Sequence, residues 1–171
     1  ELRGKLRYRL WRLEVTPDPT ERARLLDSAQ ADLEAAVRAD PTLASAQYVL
    51  SGLYYQRKDN FQALMAARRA YEEDAYLSNM DANLYQLFWT HYDLEQFIDA
   101  QRWCQEGARR FPSDYRFIEC RLWMMIAPGA ERDVNRAWQL AQELAQRASP
   151  RDREYWAHLG RLVVGGVMAR P

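Results

Sequence analysis

Apolar residues along this chain recur at spacings of three and four, the period of a helix that buries one face. Three stretches show it most plainly. Ser45 to Arg57 carries Tyr48, Leu50, Leu53 and Tyr54; Ala82 to Tyr92 carries Leu84, Leu87 and Phe88; Asp114 to Ala127 carries Ile118, Leu122 and Met125. At the N-terminus Leu2, Leu6, Leu10 and Leu13 form a further helical stripe, although the arginines between them alternate as they would in a strand. No run of alternating β-branched residues bounded by turns competes with this pattern, so an all-α fold is predicted.

Each of the three helices is followed by another with a different signature. Ala29-x3-Leu33-x2-Ala36 recurs as Ala63-x3-Ala67-x2-Ala70, Ala100-x3-Cys104-x2-Gly107 and Ala137-x3-Ala141-x2-Leu144, with leading alanines 34, 37 and 37 residues apart. Mostly small residues at i, i+4 and i+7 share one helical face and let a second helix approach closely. A period of this length is the mark of a repeat architecture. Boundary signals agree with it. Asp59 followed by Gln62 reads as an N-cap with a partner three residues on. Ser149-Pro150-x-Asp152 has the order of a helix start, with Ser149 as cap. Thr16-Pro17-Asp18-Pro19, Pro112 and Pro128-Gly129 separate helices.

These helix pairs resemble tetratricopeptide (TPR) repeats. Trp156-x2-Leu159-Gly160-x2-Val163 is similar to the opening motif of that family, with Val where Tyr is usual, and Asp40-Pro41 and Phe111-Pro112 fall where it places its closing proline. Phe88 and Leu122 depart from it at a normally small position, and Arg121 falls on an expected core position. The resemblance implies a right-handed α-solenoid of antiparallel helix pairs in one domain, 1–171. Its expected parts are a divergent repeat at 1–41, repeats at 42–77, 78–112 and 113–149, and the terminal helix of a truncated repeat at 150–171. It is similar in look to TPR arrays of bacterial proteins.

The resemblance also implies a concave groove lined by successive first helices. Its frame puts Tyr48, Gly52 and Tyr55, then Tyr85, Trp89 and Tyr92, then Arg116, Glu119 and Trp123 on that surface. Six of the nine are aromatic, the residue class that anchors interfaces; the same rings could instead pack core and bind nothing. The binding residues expected are Tyr48, Tyr55, Tyr85, Trp89, Tyr92, Arg116 and Trp123. TPR domains that hold the C-terminal carboxylate of heat-shock chaperones use Lys-x3-Asn, Asn and Lys-x3-Arg. Here Tyr48 and Gly52, Gln86, then Arg116 and Cys120 stand at those places, and only Arg116 fits.

Composition narrows the function further. Lys plus Arg and Asp plus Glu are 24 each, which argues against nucleic acid held by long-range charge. The basic N-terminal segment (Arg3, Lys5, Arg7, Arg9 and Arg12) reads as a solvated face, or as a surface for an acidic partner. The longest apolar run, Val163 to Ala169, falls far short of the ~20 residues of a membrane span, and no secretory signal is present. The cytoplasm is the expected location. Cys104 and Cys120 are expected as reduced, buried residues; a bond between them is the alternative, because neighbouring helices could bring them together. His91 and His158 complete no metal site, and His91 is expected in the core.

No phosphate loop, nucleophile elbow or metal-binding His pair occurs, so neither catalysis nor a cofactor is expected. Trp156, Leu159 and Val163 should pack inward, leaving Val164, Val167 and Met168 uncovered on the last helix. We therefore expect the natural chain to continue past Pro171, or this helix to form a homodimer. The chain opens on Glu1, which suggests a piece cut from a longer protein. The function expected is a non-catalytic scaffold holding a peptide or partner protein in the aromatic groove. The alternative is a structural or self-associating segment of a larger protein.

Overall fold

A computed structural model describes residues 1–150 and 152–169. Nine helices run through them: α1 (Leu2–Arg12), α2 (Pro19–Ala39), α3 (Ala44–Gln56), α4 (Asn60–Glu73), α5 (Met80–Asp93), α6 (Phe97–Arg110), α7 (Arg116–Met124), α8 (Val134–Arg147) and α9 (Arg153–Met168). No strand occurs among the described residues, and no helix among them is long and apolar enough to cross a membrane. The chain divides into two compact units at Leu94/Glu95, inside the expected 78–112 repeat.

In the first unit each helix packs on the next, and α3 also touches both α1 and α5. Leu33, Ala46, Leu50 and Ala66 form a core there, flanked by Val37, Leu43, Val49 and Tyr54. In the second unit α7, α8 and α9 close around Ile118, Leu122, Leu140, Leu144, Val163, Val164 and Val167. Eleven of the twelve residues in the small-residue frame are buried, with Ala36 half-buried, so that face is the packing face of α2, α4, α6 and α8. Phe88 and Leu122 are fully buried despite their bulk, and His91 lies in the core.

Caps place several starts as predicted. Asp59 accepts the Gln62 backbone N–H at 3.1 Å at the head of α4, and Asp18 accepts that of Thr20 at 2.9 Å with Pro19 at the first helical position. The last helix differs from its expectation. The Ser149 hydroxyl donates to the Asp152 carboxylate at 2.7 Å, so Ser149 closes a turn and α9 begins only at Arg153. The third first-helix is shorter than its apolar pattern. Beyond Met124 the backbone bonds of Met125, Ile126 and Ala127 run to the third residue back, tightening the chain out of the α-helix.

Three other expectations are overturned. Leu2, Leu6 and Leu13 are exposed, Leu2 at 81 %; the face α1 buries is that of Gly4. A Cβ on Gly4 would lie 2.7 Å from Leu33 Cγ and 3.1 Å from the Ala29 carbonyl oxygen, so the glycine permits a close approach to α2. Charge fixes the same face: Arg3 Nε donates to both Asp32 carboxylate oxygens at 3.0 and 2.9 Å, and Arg7 pairs with the same group. Arg3 first, then Arg7, holds the Asp32 carboxyl below the usual carboxylate range. Part of the expected basic outer face is thus spent on intrachain pairs.

On α9, Val164 and Val167 are buried rather than uncovered. The helix turns a broader face to α8 because Gly160 lies against Ala141, where a Cβ would come to 2.7 Å. Met168 is exposed as expected, and Tyr155 and Leu162 are exposed in place of the two valines, Leu162 at 74 %. The expected continuation past Pro171 concerns residues outside those described.

Finally, Cys104 and Cys120 are not reduced. They form a disulfide between α6 and α7, with Cα atoms 5.9 Å apart, inside the range such a bond requires. The alternative reading of the cysteines is the one the structure takes.

Two predictions follow from this backbone. The disulfide closes a loop of 16 residues' separation, so reduction should cost about 3 kcal/mol in urea unfolding; free thiols in the native oxidised protein would contradict the bond. The residues just after the C-caps of α1, α3 and α5 (Glu14, Lys58 and Glu95) have φ of 51°, 63° and 58°, a region that favours glycine. Lys58→Gly should therefore raise unfolding stability by up to about 1 kcal/mol, the left-handed penalty less the glycine entropy.

Candidate functional site

The seven expected binding residues fall in both units, five in the first and two in the second. In the first unit, α3 supplies Tyr48 and Tyr55 and α5 supplies Tyr85, Trp89 and Tyr92, all five half-buried. On α5 the i, i+4 and i, i+3 spacings place the rings in van der Waals sequence. Tyr85 meets Trp89 edge to face at 6.0 Å between centroids, and Trp89 meets Tyr92 the same way at 5.6 Å. Fully buried Phe88 lies beneath, 5.0 Å from Trp89 and 5.6 Å from Tyr92. The buried ring fixes the orientation of the half-exposed ones. Tyr55 joins this shelf from α3: its hydroxyl donates to the Asp93 carboxylate at the end of α5.

The first helix completes the surface, which the sequence pattern did not reveal. Lys5 Nζ donates to Ser45 Oγ at 2.6 Å, and the Ser45 hydroxyl donates to Glu1. Tyr8 stands over Gly52, its hydroxyl oxygen 2.9 Å from where a Cβ would be. Gly52 is thus a seat for Tyr8, not an open groove position. Tyr8 also stacks on Trp11 at 5.7 Å, while the Arg22 guanidinium lies 6.0 Å from the Trp11 ring centroid. The available signal was Gly4 and Tyr8 at i and i+4, one face of α1, but the leucine stripe outweighed it.

In the second unit Trp123 is half-buried on α7. Glu119, expected on the groove, is buried. Arg116 is engaged at its own helix start: its Nε donates to both Asp114 carboxylate oxygens at 3.0 Å, and its backbone N–H to one of them at 3.0 Å. A guanidinium so held orders the N-terminus of α7 and presents little of itself to a ligand.

Chemically, the α3–α5 surface offers rings, phenolic hydroxyls and a carboxylate, the equipment of a binding surface. Burial, then the hydrogen bond to Asp93, pushes the Tyr55 phenol well above its ordinary value. On the other side of α3, burial and the 2.9 Å bond to Glu34 push Tyr54 up to about 12. A raised folded value means the native state holds these protons more tightly than the unfolded chain does. The stability they contribute is complete below pH ~10, the ordinary tyrosine value, and is lost as pH rises through the folded values.

Absorbance titration of the ten tyrosines should accordingly show a class ionising near pH 12, reduced in Tyr54→Phe, with thermal stability falling above pH ~10. Ionisation of every tyrosine in the native protein near pH 10 would contradict the Tyr54–Glu34 bond.

Compared with known proteins, the chain matches no family model and no curated sequence.

Proposed function

We propose that the chain is a TPR-like repeat module, a non-catalytic scaffold that holds a peptide or a segment of a partner protein against the aromatic shelf of α3 and α5. Two features support the repeat reading. The frame Ala-x3-small followed three residues on by Ala70, Gly107 or Leu144 is buried in α4, α6 and α8 alike. Lys58 and Glu95, each five residues before a leading alanine, share a left-handed backbone. On this reading the repeats are 42–77, 78–112 and 113–149, in a right-handed solenoid.

The observation that carries the binding role is the state of Tyr85, Trp89 and Tyr92: interlocked edge to face over Phe88, yet still open to solvent. Rings held this way give contact area with little side-chain entropy left to lose, which suits interface anchors. An extended or helical peptide would lie across them with apolar side chains, and Tyr55 and Asp93 would set its polar register. The Cys104–Cys120 bond favours an oxidising compartment over the cytoplasmic setting expected from the sequence. The second reading, self-association, rests on the exposed Tyr155, Leu162 and Met168 of α9.

Selection of a random peptide display library on the intact protein tests the main reading. Enriched peptides should bind wild type and lose about 2 kcal/mol or more with Trp89→Ala, as a hot-spot ring does. They should bind unchanged to Trp138→Ala, whose ring is exposed on α8. No enrichment, or peptides indifferent to Trp89, would refute the shelf. A dimer in light scattering that dissociates on Leu162→Glu would favour the α9 reading instead.

A further inference from the structure

A cavity of about 710 Å³ opens in the second unit between α6, α7, the connection after α7 and α8. That volume suits a small-molecule ligand. Phe97, Met124, Met125 and Leu140 give it apolar walls, and Arg121 lies among them. The Arg121 side chain is half-buried and makes no hydrogen bond or ion pair among the described residues. Burial first, then the charge of Arg136, lowers its pKa from the ordinary arginine value. The carboxylate that favours its charge, Glu143, is bonded to Arg147 at 2.9 Å. Arg136, also on the wall, bonds the Gln139 side-chain oxygen at 3.2 Å and no carboxylate among the described residues.

A half-buried cation without a counter-ion is costly, and an anion entering the cavity removes that cost. The acids at the cavity limit the anion's charge. Asp133 accepts the backbone N–H of Arg136 at 2.8 Å as the cap of α8, and Glu131 is exposed beside it. Two carboxylates disfavour a dianion. A single planar carboxylate, by contrast, matches the fork of a guanidinium.

We propose that this cavity binds a monocarboxylate with an apolar chain or ring, its carboxylate on Arg121 and its apolar part against Phe97, Met124, Met125 and Leu140. The site is separate from the α3–α5 shelf and does not depend on that reading. The ligand belongs to the class of free fatty or aromatic acids.

Calorimetric titration of the intact protein with decanoate, decanol and decyl phosphate, each kept below its aggregation concentration, tests this. Decanoate should bind roughly tenfold or more tightly than decanol, the difference one charge-assisted hydrogen bond makes, and more tightly than decyl phosphate. Arg121→Gln should abolish that preference while leaving decanol binding unchanged. Arg121→Lys should keep part of it, and Arg161→Gln, exposed on α9, all of it. Met124→Trp, which fills the cavity, should abolish binding of both ligands. Equal binding of decanoate and decanol, tighter binding of decyl phosphate, or no decanoate binding at millimolar concentration would overturn the proposal. These comparisons use wild type alone, so they decide it even where circular dichroism shows Arg121→Gln unfolded.

Discussion

Close approach of helices at positions without a side chain is the constraint on which the rest of this structure depends. A Cβ on Gly107 would overlap the Phe117 ring, one on Gly160 would press on Ala141, and one on Gly4 would press on Leu33. Each glycine sets one crossing: α6 with α7, α8 with α9, α1 with α2. Glycine inside a helix costs roughly 0.5–1 kcal/mol relative to alanine, so its presence at these crossings is bought by the packing it permits. At α6 and α7 the ring of Phe117 occupies the space a side chain would have taken, and the Cys104–Cys120 bond closes the same helix pair. Steric fit and covalent closure therefore hold the two helices that form adjacent walls of the Arg121 cavity.

The same constraint explains why the aromatic shelf survives partly open to water. Large rings normally disappear into a core because burying them is so favourable. Here alanines on α4 bring its backbone close to α3 and α5, and Leu84, Leu87 and Phe88 already fill the inward face of α5. Tyr85, Trp89 and Tyr92 are left to the flank, where Phe88 supports them from below. Tyr8 covers Gly52 because α1, drawn in by Gly4 and by the Asp32 ion pairs, runs alongside α3 from Ser45 to Gly52. The open part of the shelf is consequently its α5 end.

The helical architecture was legible in the sequence because periodicity and small-residue spacing report directly on which face is buried. The frame from Ala29 to Leu144 located the packing face of four helices. The same logic failed on α1 and α9 for one physical reason: hydrophobicity does not say which face packs when a glycine competes with it. Leu2, Leu6 and Leu13 lost to Gly4, whose lack of a side chain let α1 approach α2. On α9, Gly160 widened the buried arc to take in Val164 and Val167. The disulfide was missed for another reason, since sixteen residues of separation permit contact without requiring it. Five aromatic residues of the α3–α5 surface were placed there by the frame that the resemblance implies, not by spacing alone. Tyr8 was not, because its role depends on a contact between helices distant in sequence.

Balanced composition concealed the most consequential electrostatic feature. Equal numbers of acids and bases invite the inference that charges are paired, and over much of the surface they are. Two arginines converge on Asp32, and Arg116 is held by Asp114. Such pairing is a local matter decided by register. Arg121 is carried by α7 to a place where a core side chain was expected, beside a like-charged Arg136. Glu143, whose charge favours that of Arg121, is already committed to Arg147. A helix can lengthen, shorten or turn to satisfy one such charge, but α7 has little freedom to do so. Its position is fixed by Phe117 on Gly107 and by the bond at Cys120, so rotating Arg121 toward solvent would break both. Rigidity imposed for packing thus leaves a cation beside the apolar wall of the cavity, and that is the physical basis for expecting an anion there.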